Sequence, residues 1–149
     1  MKRVIICDID GTIAEIGDRF KIIEKENLTK QDYDEFNASS VKSNCIENIA
    51  NIIRNLKDAE TKIYLITARE EKWKKITQHW LKLNDIPCDK LFMRKDNDKE
   101  SDADVKMKIV KEHINPKRVW FVLEDRDDVV QMYREDLGLT CLQVNKGDY

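Results

Sequence analysis

Short, nearly continuous apolar runs alternate along the chain with longer segments in which apolar residues recur every three or four positions. Such runs are typical of strands covered on both faces, as in a parallel sheet. The clearest runs are Lys2–Ile9, Lys62–Thr67 and Arg118–Leu123, and weaker ones lie at Lys90–Met93 and Thr140–Val144. The pattern predicts a sheet of about five strands.

The periodic segments between these runs predict amphipathic helices. Their apolar stripes are Ile46, Ile49, Ile53 and Leu56; Trp73, Ile76, Trp80 and Leu83; Val105, Ile109 and Ile114; and Val129, Met132, Tyr133 and Leu137. Alternating strands and helices favour an α/β, Rossmann-like fold with right-handed crossovers and helices on both faces. The helical spacing of Trp73 and Trp80 favours core positions over base-stacking platforms.

Two polar segments interrupt the alternation. Residues 17–43 follow the first strand and contain FKIIEKEN and KQDYDEFNA, which predict one or two short helices above the strand ends. This insert is too short for a large cap domain, so a site beneath it would stay open. The segment RKDNDKESDAD, Arg94–Asp104, is predicted to be a long charged loop.

Composition favours a single globular domain over residues 1–149, with 41% hydrophobic and 38% charged residues. The net charge of −2 means that nucleic-acid binding would need a local basic patch. No apolar stretch approaches the roughly 20 residues of a membrane helix, which predicts no membrane contact. The first strand is too short and too acidic for a signal peptide, and the four cysteines form no Cys-x-x-Cys pair. These features favour reduced thiols in a cytoplasmic protein.

Polar and charged residues stand where the three clearest apolar runs stop. They are Asp8 and Asp10, then Thr67 and Arg69, then Glu124 and Asp125. In an open α/β sheet the ligand site lies outside the carboxyl ends of the strands. Acidic side chains that converge there repel one another, and a divalent cation such as Mg²⁺ would offset that repulsion.

Asp8 and Asp10 are two residues apart, so in an extended segment both face the same side and Ile9 faces the other. One carboxylate could attack an electrophile while the other moves a proton. Gly11 permits a sharp turn that would leave backbone N–H groups facing an anion. This spacing predicts covalent carboxylate catalysis.

The motif DIDGT at residues 8–12 resembles the first motif of the haloacid dehalogenase-type phosphatases. The companion motifs follow in order: Thr67 ends the run KIYLIT, Lys106 opens a downstream helix, and VLEDRDD ends a strand in an acidic pair. The segments ITARE, IPCDKLFMR, VVQMYRE and CLQVNKGDY narrow the resemblance to the 3′-phosphatase domain of phage-type polynucleotide kinase/phosphatases. The chain has no G-x-x-x-x-G-K-[ST] motif, so no kinase domain is expected.

The resemblance implies a role for each matching residue. Asp8 would be the nucleophile that forms an aspartyl-phosphate, and Asp10 the acid and then the base. Asp8, the main-chain carbonyl of Asp10, and Asp125 would hold Mg²⁺. The implied phosphate-binding residues are Thr67, Lys106, Arg19 and Arg69. Glu124 and Asp128 could stand behind the metal ligands.

Several of these residues have simpler interpretations. Thr67 could cap the following helix, and Lys106 has close competitors in Lys108 and Lys111. Glu124 could itself be a ligand, and Asp127 and Asp128 could simply favour a helix N-terminus. Arg19 and Arg69 could be surface residues. The sequence leaves these alternatives open.

The leading hypothesis is a stand-alone, Mg²⁺-dependent polynucleotide 3′-phosphatase for DNA or RNA ends that works beside a separate kinase or ligase. A small-molecule or mononucleotide phosphatase of the same superfamily is the alternative, and an inactive nucleic-acid-binding module is a third. Related sequences often place an arginine where this chain has 99–102, so substrate preference is open. A basic rim for a nucleic-acid end, or an ordinary solvated face, could be formed by Lys72, Lys74, Lys75, Lys82, Arg94 and Lys95.

Overall fold

The computed structural model describes residues 2–147, so the last two residues of CLQVNKGDY lie outside the described part. Its strands are β1 (Arg3–Cys7), β2 (Thr61–Glu70), β3 (Lys90–Arg94), β4 (Val119–Arg126) and β5 (Cys141–Gly147). They form one sheet in the order β3-β2-β1-β4-β5, and every neighbouring pair is parallel. The predicted five-strand parallel sheet is confirmed.

Helices connect the strands. They are α1 (Phe20–Ile23), α2 (Lys30–Ala38), α3 (Glu47–Leu56), α4 (Lys74–Leu83), α5 (Asp102–His113) and α6 (Asp127–Gln131), the last continued by a π-helical turn, Met132–Asp136. Within residues 2–147 no helix combines the length and apolarity needed to cross a bilayer.

Two hydrophobic cores lie on opposite faces of the sheet. On one face, Ile5 and Leu65 of the sheet pack with Ile53 of α3 and Trp80 of α4. On the other face a second core joins the sheet to α5 and α6, with Ile6, Ile66, Val122, Val110 and Val129 among its members. Successive residues of β1 alternate between the two cores, which is why its sequence is a continuous apolar run.

The insert after β1 has the short helices that the sequence predicts. It contains a 3₁₀ turn at Gly17–Arg19, then α1 and α2, and a second 3₁₀ turn at Ser39–Lys42. Helix α2 begins with a capping box, because the Thr29 hydroxyl accepts from the Asp32 N–H while Asp32 accepts from the Thr29 N–H. The insert is anchored to α4, since Trp80 Nε1 donates to the Ser43 carbonyl at 2.8 Å.

The strands carrying the polar residues are longer than the apolar runs indicate. Strand β2 continues to Glu70 and β4 to Arg126, so Thr67 and Asp125 are strand residues. The parallel register shifts in both strands at these positions. Apolar periodicity marks only the covered part of a strand, and its polar end is missed.

The prediction of a long charged loop at Arg94–Asp104 was wrong at both ends. Arg94 is the last residue of β3, and α5 begins at Asp102, with Ser101 accepting from the Asp104 N–H as its N-cap. Lys106 therefore lies in the second turn of α5 and does not open the helix. Charged residues at a helix start resemble a loop in sequence because the apolar stripe begins later.

Replacing Trp80 by Phe removes the bond to Ser43 and part of a side chain that is 1% exposed. We expect the free energy of unfolding to fall by about 1–3 kcal/mol, since a buried hydrogen bond and some packing are lost. Trp120→Phe is the matched control because Trp120 is 40% exposed, and it should change stability by less than about 0.5 kcal/mol. Urea unfolding measures both, and equal losses would contradict the anchoring role.

Candidate active site

A buried lysine joins two carboxylates at the carboxyl ends of the central strands. Lys106 Nζ donates to Asp8 Oδ1 and to Glu124 Oε2, each at 2.8 Å. Asp8 directly follows β1, Glu124 lies in β4, and Lys106 reaches them from α5. All three side chains are at most 8% exposed. The predicted Lys106 is therefore the lysine that reaches Asp8, whereas its neighbour Lys108 is exposed and pairs with Glu100.

Asp125 adds a third carboxylate to this group. Thr12 Oγ1 lies 3.0 Å from Asp8 Oδ2 and 3.2 Å from Asp125 Oδ1, so one hydroxyl contacts both acids. Asp8, Glu124 and Asp125 each offer a carboxylate oxygen within 4.8 Å of the others. Three carboxylates facing one ammonium leave a formal charge of −2 if all are ionised. That balance and the all-oxygen donor set fit a divalent cation such as Mg²⁺.

Strand β5 fixes the backbone around Asp125. Gln143 Nε2 donates to the Asp125 carbonyl at 2.9 Å. A Cβ on Gly147 would lie only 2.3 Å from that same carbonyl oxygen, so glycine is required where β5 passes β4. Neither residue was identified from the sequence. Gly147 comes after the predicted end of the strand, and nothing in the sequence marks Gln143 as a contact of Asp125.

Asp10 lies in a separate electrostatic setting. Arg69 Nε and Nη2 bind its two carboxylate oxygens in a fork, each at 2.7 Å, and Arg19 Nη1 adds a contact to Asp10 Oδ1 at 3.0 Å. The side chains of Arg69 and Arg19 are only 2% and 8% exposed. The structure thus brings both predicted arginines into the site, where they contact Asp10.

The insert holds Arg19 in place. Arg19 Nε donates to the Phe36 carbonyl and to Ser39 Oγ, Nη1 also donates to Ser43 Oγ, and the guanidinium lies 4.1 Å from the Phe36 ring centroid. Among the bonds within residues 2–147, none involves Arg19 Nη2, which is buried. The helices of the insert therefore position a guanidinium above the strand ends.

Thr67 is buried, and its hydroxyl accepts from the Arg69 N–H at 3.2 Å. This bond lies inside β2, so the alternative of a cap for the helix after β2 is wrong. The expectation that the Gly11 turn leaves its N–H groups facing an anion is also wrong. Gly11 has φ +84°, its N–H donates to the Ala14 carbonyl, and the next three N–H groups donate to the Ile9 carbonyl.

Glu124 and Asp128, the two acids expected behind the metal ligands, lie in different surroundings. Glu124 uses one oxygen for Lys106 and the other for the N–H groups of Asp125 and Arg126, so it orients the lysine and the strand. Asp128 is half exposed, lies in the first turn of α6, and accepts from Arg126 Nε at 2.9 Å. Its bonds lead to the surface, in keeping with the helix N-terminus alternative.

A chain of ion pairs that the sequence did not predict braces α5. Asp102 accepts from Arg94 Nη2 at 2.6 Å and from Arg126 Nη1 at 2.8 Å. Arg94 also donates to the Ala68 and Glu100 carbonyls. These contacts tie the ends of β2, β3 and β4 to the first turn of α5, which carries Lys106 one turn later.

The two electrostatic settings shift the pKa values of Asp8 and Asp10 in opposite directions. Burial raises the pKa of Asp8 and repulsion from Glu124 adds to it, while Lys106 acts against both. Burial alone would also raise the pKa of Asp10, but Arg69 and then Arg19 outweigh it and hold that pKa well below its usual range. Asp10 is therefore ionised at neutral pH. The two carboxylates, two residues apart, are thus suited to different tasks.

A cavity of about 310 Å³ opens beside these groups, lined by Gly11, Ile16, Ile46, Asp125 and Lys146 among others. Solvent and a small group can enter from this side of the sheet edge. The arrangement as a whole offers a buried carboxylate beside a fixed ammonium, and a second carboxylate bound by two guanidinium groups. These are the elements that phosphoryl transfer requires.

This fold is that of the haloacid dehalogenase-like hydrolases. A haloacid dehalogenase-like protein from Streptococcus pneumoniae matches with a TM-score of 0.65 at 16% identity, over 95% of this chain and 84% of that one. A hydrolase of the same type from Bacteroides fragilis matches with a TM-score of 0.68 at 13% identity, over 100% of this chain and 90% of that one. At these identities the likeness shows the fold.

The family described as the polynucleotide kinase PNKP phosphatase domain matches residues 2–149, and the chain belongs to this family. It is thus a phosphatase domain of the haloacid dehalogenase type, which confirms the resemblance drawn from DIDGT and its companion motifs.

Two relatives match at 29% identity. A chain in the Pnkp1/Rnl/Hen1 RNA repair complex has a TM-score of 0.85, and the match covers 100% of this chain and 44% of that one. A protein of Autographa californica nuclear polyhedrosis virus, assigned as a bifunctional polynucleotide kinase/RNA ligase, matches over 89% of this chain and 18% of its own length. The chain therefore spans less than half of each.

Lys106→Met should lower the free energy of unfolding by about 3–5 kcal/mol, because Asp8 and Glu124 would lose the buried cation that they share. Lys108→Met is the matched control, since the Lys108–Glu100 pair is exposed to solvent and its loss should leave stability nearly unchanged. Adding Glu124→Gln to Lys106→Met should recover part of the loss. Urea unfolding tests this, and similar losses in both single variants would contradict a coupled buried cluster.

Proposed function

We propose that this phosphatase domain is a Mg²⁺-dependent polynucleotide 3′-phosphatase that acts through an aspartyl-phosphate on Asp8. The observation that carries the proposal is the buried Asp8–Lys106 pair beside the arginine-bound Asp10, in a member of the polynucleotide kinase phosphatase family. A nucleophile, an acid/base and fixed cations for the phosphoryl oxygens would then lie at one sheet edge.

In the first step a carboxylate oxygen of Asp8 attacks phosphorus, and the bond from phosphorus to the 3′ oxygen breaks. In the substrate complex Asp10 would first take up a proton from solvent, and it would then donate that proton to the leaving oxygen, which becomes the 3′-hydroxyl. In the second step Asp10 takes a proton from water as that water attacks phosphorus, which releases inorganic phosphate and restores Asp8. Asp10 is ionised in the free enzyme because Arg69 and Arg19 lower its pKa. An incoming phosphate that draws these guanidinium groups onto its own oxygens would let burial raise that pKa, as the acid role requires.

Lys106 and Thr67 would bind phosphoryl oxygens as charge develops on them. Lys106 Nζ already lies 2.8 Å from the attacking carboxylate and is fixed by Glu124, so it needs little rearrangement. Arg69 and Arg19 would orient Asp10, and Arg19 Nη2 is the guanidinium nitrogen with no internal bond among the described residues. That nitrogen is buried, so the phosphate contact expected of Arg19 would require its guanidinium or the insert to move.

Asp8, Asp125 and the main-chain carbonyl of Asp10 would hold Mg²⁺. The ion would offset the repulsion between an anionic nucleophile and an anionic phosphate. The charge excess of the three clustered carboxylates over Lys106 supports this placement. Glu124 is less suited as a ligand because both of its oxygens already accept hydrogen bonds.

We further propose that residues 1–149 act as a single phosphatase domain beside a separate kinase or ligase activity. Their sequence has no P-loop motif, and the names of the relatives join a polynucleotide kinase to an RNA ligase or place the related chain in an RNA repair complex. The four free cysteines support a cytoplasmic setting.

The first test uses one oligonucleotide phosphorylated only at its 3′ end and another phosphorylated only at its 5′ end. We expect phosphate release from the 3′ end alone, with Mg²⁺ and not with EDTA, because the metal offsets the charge of nucleophile and phosphate. Asp8→Asn should abolish release, since an amide oxygen is a poor nucleophile. Malachite green measures the phosphate.

The control is Asp18→Asn, an exposed aspartate of the insert, which should act like wild type. Equal release from both ends, or turnover of mononucleotides without oligonucleotides, would favour a metabolite phosphatase of the same superfamily. Binding without release would favour the inactive nucleic-acid-binding module. Activity that survives in Asp8→Asn would exclude the covalent route.

The role of Asp10 predicts a dependence on the leaving group. Asp10→Asn should lower kcat on the 3′-phosphorylated oligonucleotide by about 10²–10⁴-fold, the usual contribution of a general acid/base. With 4-nitrophenyl phosphate, whose leaving group needs no proton, the first step should persist while hydrolysis of the intermediate is slow. Stopped-flow absorbance should therefore show a burst of nitrophenolate stoichiometric with enzyme. Slow release without a burst would contradict the second role of Asp10.

A further inference from the structure

Two members of the predicted basic rim are already paired with other groups of the protein. Lys72 Nζ lies 2.7 Å from an Asp34 oxygen and 3.5 Å from a Glu70 oxygen. Arg94 is 9% exposed and is bound to backbone carbonyls and Asp102. Neither presents a free cation to a ligand, so the basic rim is smaller than the sequence indicates.

Two other lysines of the predicted rim, Lys74 and Lys82, line a groove on α4. This groove of about 400 Å³ runs between α4 and the edge strand β3. Its α4 wall presents Lys74, Gln78 and Lys82, and Lys90 stands at the start of β3. Ile86 and Leu91 are among the apolar residues that line it. We call this surface the lysine groove.

The charge of the lysine groove is not neutralised internally. Within residues 2–147, Lys74 and Lys82 have neither an ion pair nor a hydrogen bond through their side chains. The Lys90 ammonium lies 5.4 Å from the ring centroid of Tyr64, which packs on the opposite face of the sheet, so only the two α4 lysines are counted. Asp89 also lines the groove, but Lys57 at 2.9 Å and Lys62 at 3.6 Å already balance it. The groove therefore keeps an excess of positive charge.

Helix α4, which forms one wall of the groove, also contacts the Asp10 side of the active site. Arg69 donates to Asp10 and, through Nη1, to Thr77 Oγ1 of α4 at 3.1 Å. Helix α4 starts near the carboxyl end of β2 and runs back toward the start of β3, so Lys74 lies at the active-site end. Lys82 lies eight residues further, about 12 Å along the helix.

We propose that the lysine groove binds the single-stranded nucleic acid on the 5′ side of the phosphorylated terminus. This inference rests on the proposed function, in which Asp10 must reach the leaving 3′ oxygen, so the preceding nucleotides depart past Asp10 toward α4. Lys74, Gln78 and Lys82 share one helix face at intervals of four residues, about 6 Å each. The spaced lysines could bind successive phosphates of one strand, and the apolar residues that line the groove could contact its bases.

The proposal predicts a preference for length that depends on these lysines. We would compare kcat/KM for a 3′-phosphorylated oligonucleotide of about ten nucleotides, enough to fill the groove, with that for a 3′-mononucleotide. In Lys74→Ala/Lys82→Ala the ratio of the two values should fall several-fold. The slope of log kcat/KM against log salt for the oligonucleotide should become shallower by about 1.4, or 0.7 for each lost phosphate contact.

The matched control is Lys111→Ala/Lys117→Ala, which removes the same charge from two exposed lysines outside the groove, one of them on α5 at the opposite face of the sheet. It should keep the wild-type ratio and salt slope. If the two double variants changed the kcat/KM ratio and the salt slope equally, the effect would be one of overall charge, and the proposed role of the groove would be rejected. A wild type that turns over both substrates equally well would overturn it as well.

A binding measurement separates this proposal from the proposed function. Fluorescence anisotropy with a 3′-hydroxyl oligonucleotide reports on the groove without any reaction. Suppose that no phosphate is released from any 3′ end, but Lys74→Ala/Lys82→Ala binds the oligonucleotide more weakly and the control double variant does not. The 3′-phosphatase proposal would then be rejected and the proposed groove would be supported. If phosphate is released but wild type and groove variant bind equally, or an acidic peptide competes as well as the oligonucleotide, the groove fails and the phosphatase stands.

Discussion

The structure depends above all on the ammonium of Lys106, which lies buried between Asp8 and Glu124. Three elements must meet for this contact to exist: the end of β1, the end of β4 and the second turn of α5. Without the lysine, two close carboxylates would be buried together in a place where water cannot screen them. The pairing of Arg94 and Arg126 with Asp102 serves this contact, because it fixes the start of α5 over the sheet.

A second set of cations gives Asp10 an environment opposite to that of Asp8. Arg69 comes from β2 and Arg19 from the insert, so Asp10 is the point where the insert is tied to the sheet. The two carboxylates are neighbours in sequence, yet one shares a single lysine with another acid and the other has two guanidinium groups. Separate environments suit the two side chains to the separate roles of nucleophile and acid/base that we propose for them. The insert therefore contributes a cation to the environment of Asp10 as well as a cover for the strand ends.

The sequence predicted the sheet, the cores and the acidic strand ends because each depends on local periodicity and on one topological rule. It also placed Lys106 near the site, although as the first residue of a helix that begins earlier. It did not predict that Arg19 and Arg69 bind Asp10, that Thr12 contacts both Asp8 and Asp125, or that Arg94 is buried. These contacts join residues far apart in the chain, and a surface arginine and a buried one look alike in a single sequence.

The distribution of paired and unpaired cations has a consequence for substrate selection. The cations of the candidate active site, Lys106, Arg19 and Arg69, are all bound to Asp8 or Asp10, the carboxylates to which we assign the proposed chemistry. They can serve the phosphoryl group, but the same contacts are suited to any phosphate monoester, long or short. To prefer a polymer, the protein needs cations that are not already paired with Asp8 or Asp10. These cations must also lie along the path of the nucleotides that precede the terminal phosphate. Lys74 and Lys82 meet both conditions, since they are unpaired among the described residues and extend from the Asp10 side of the site.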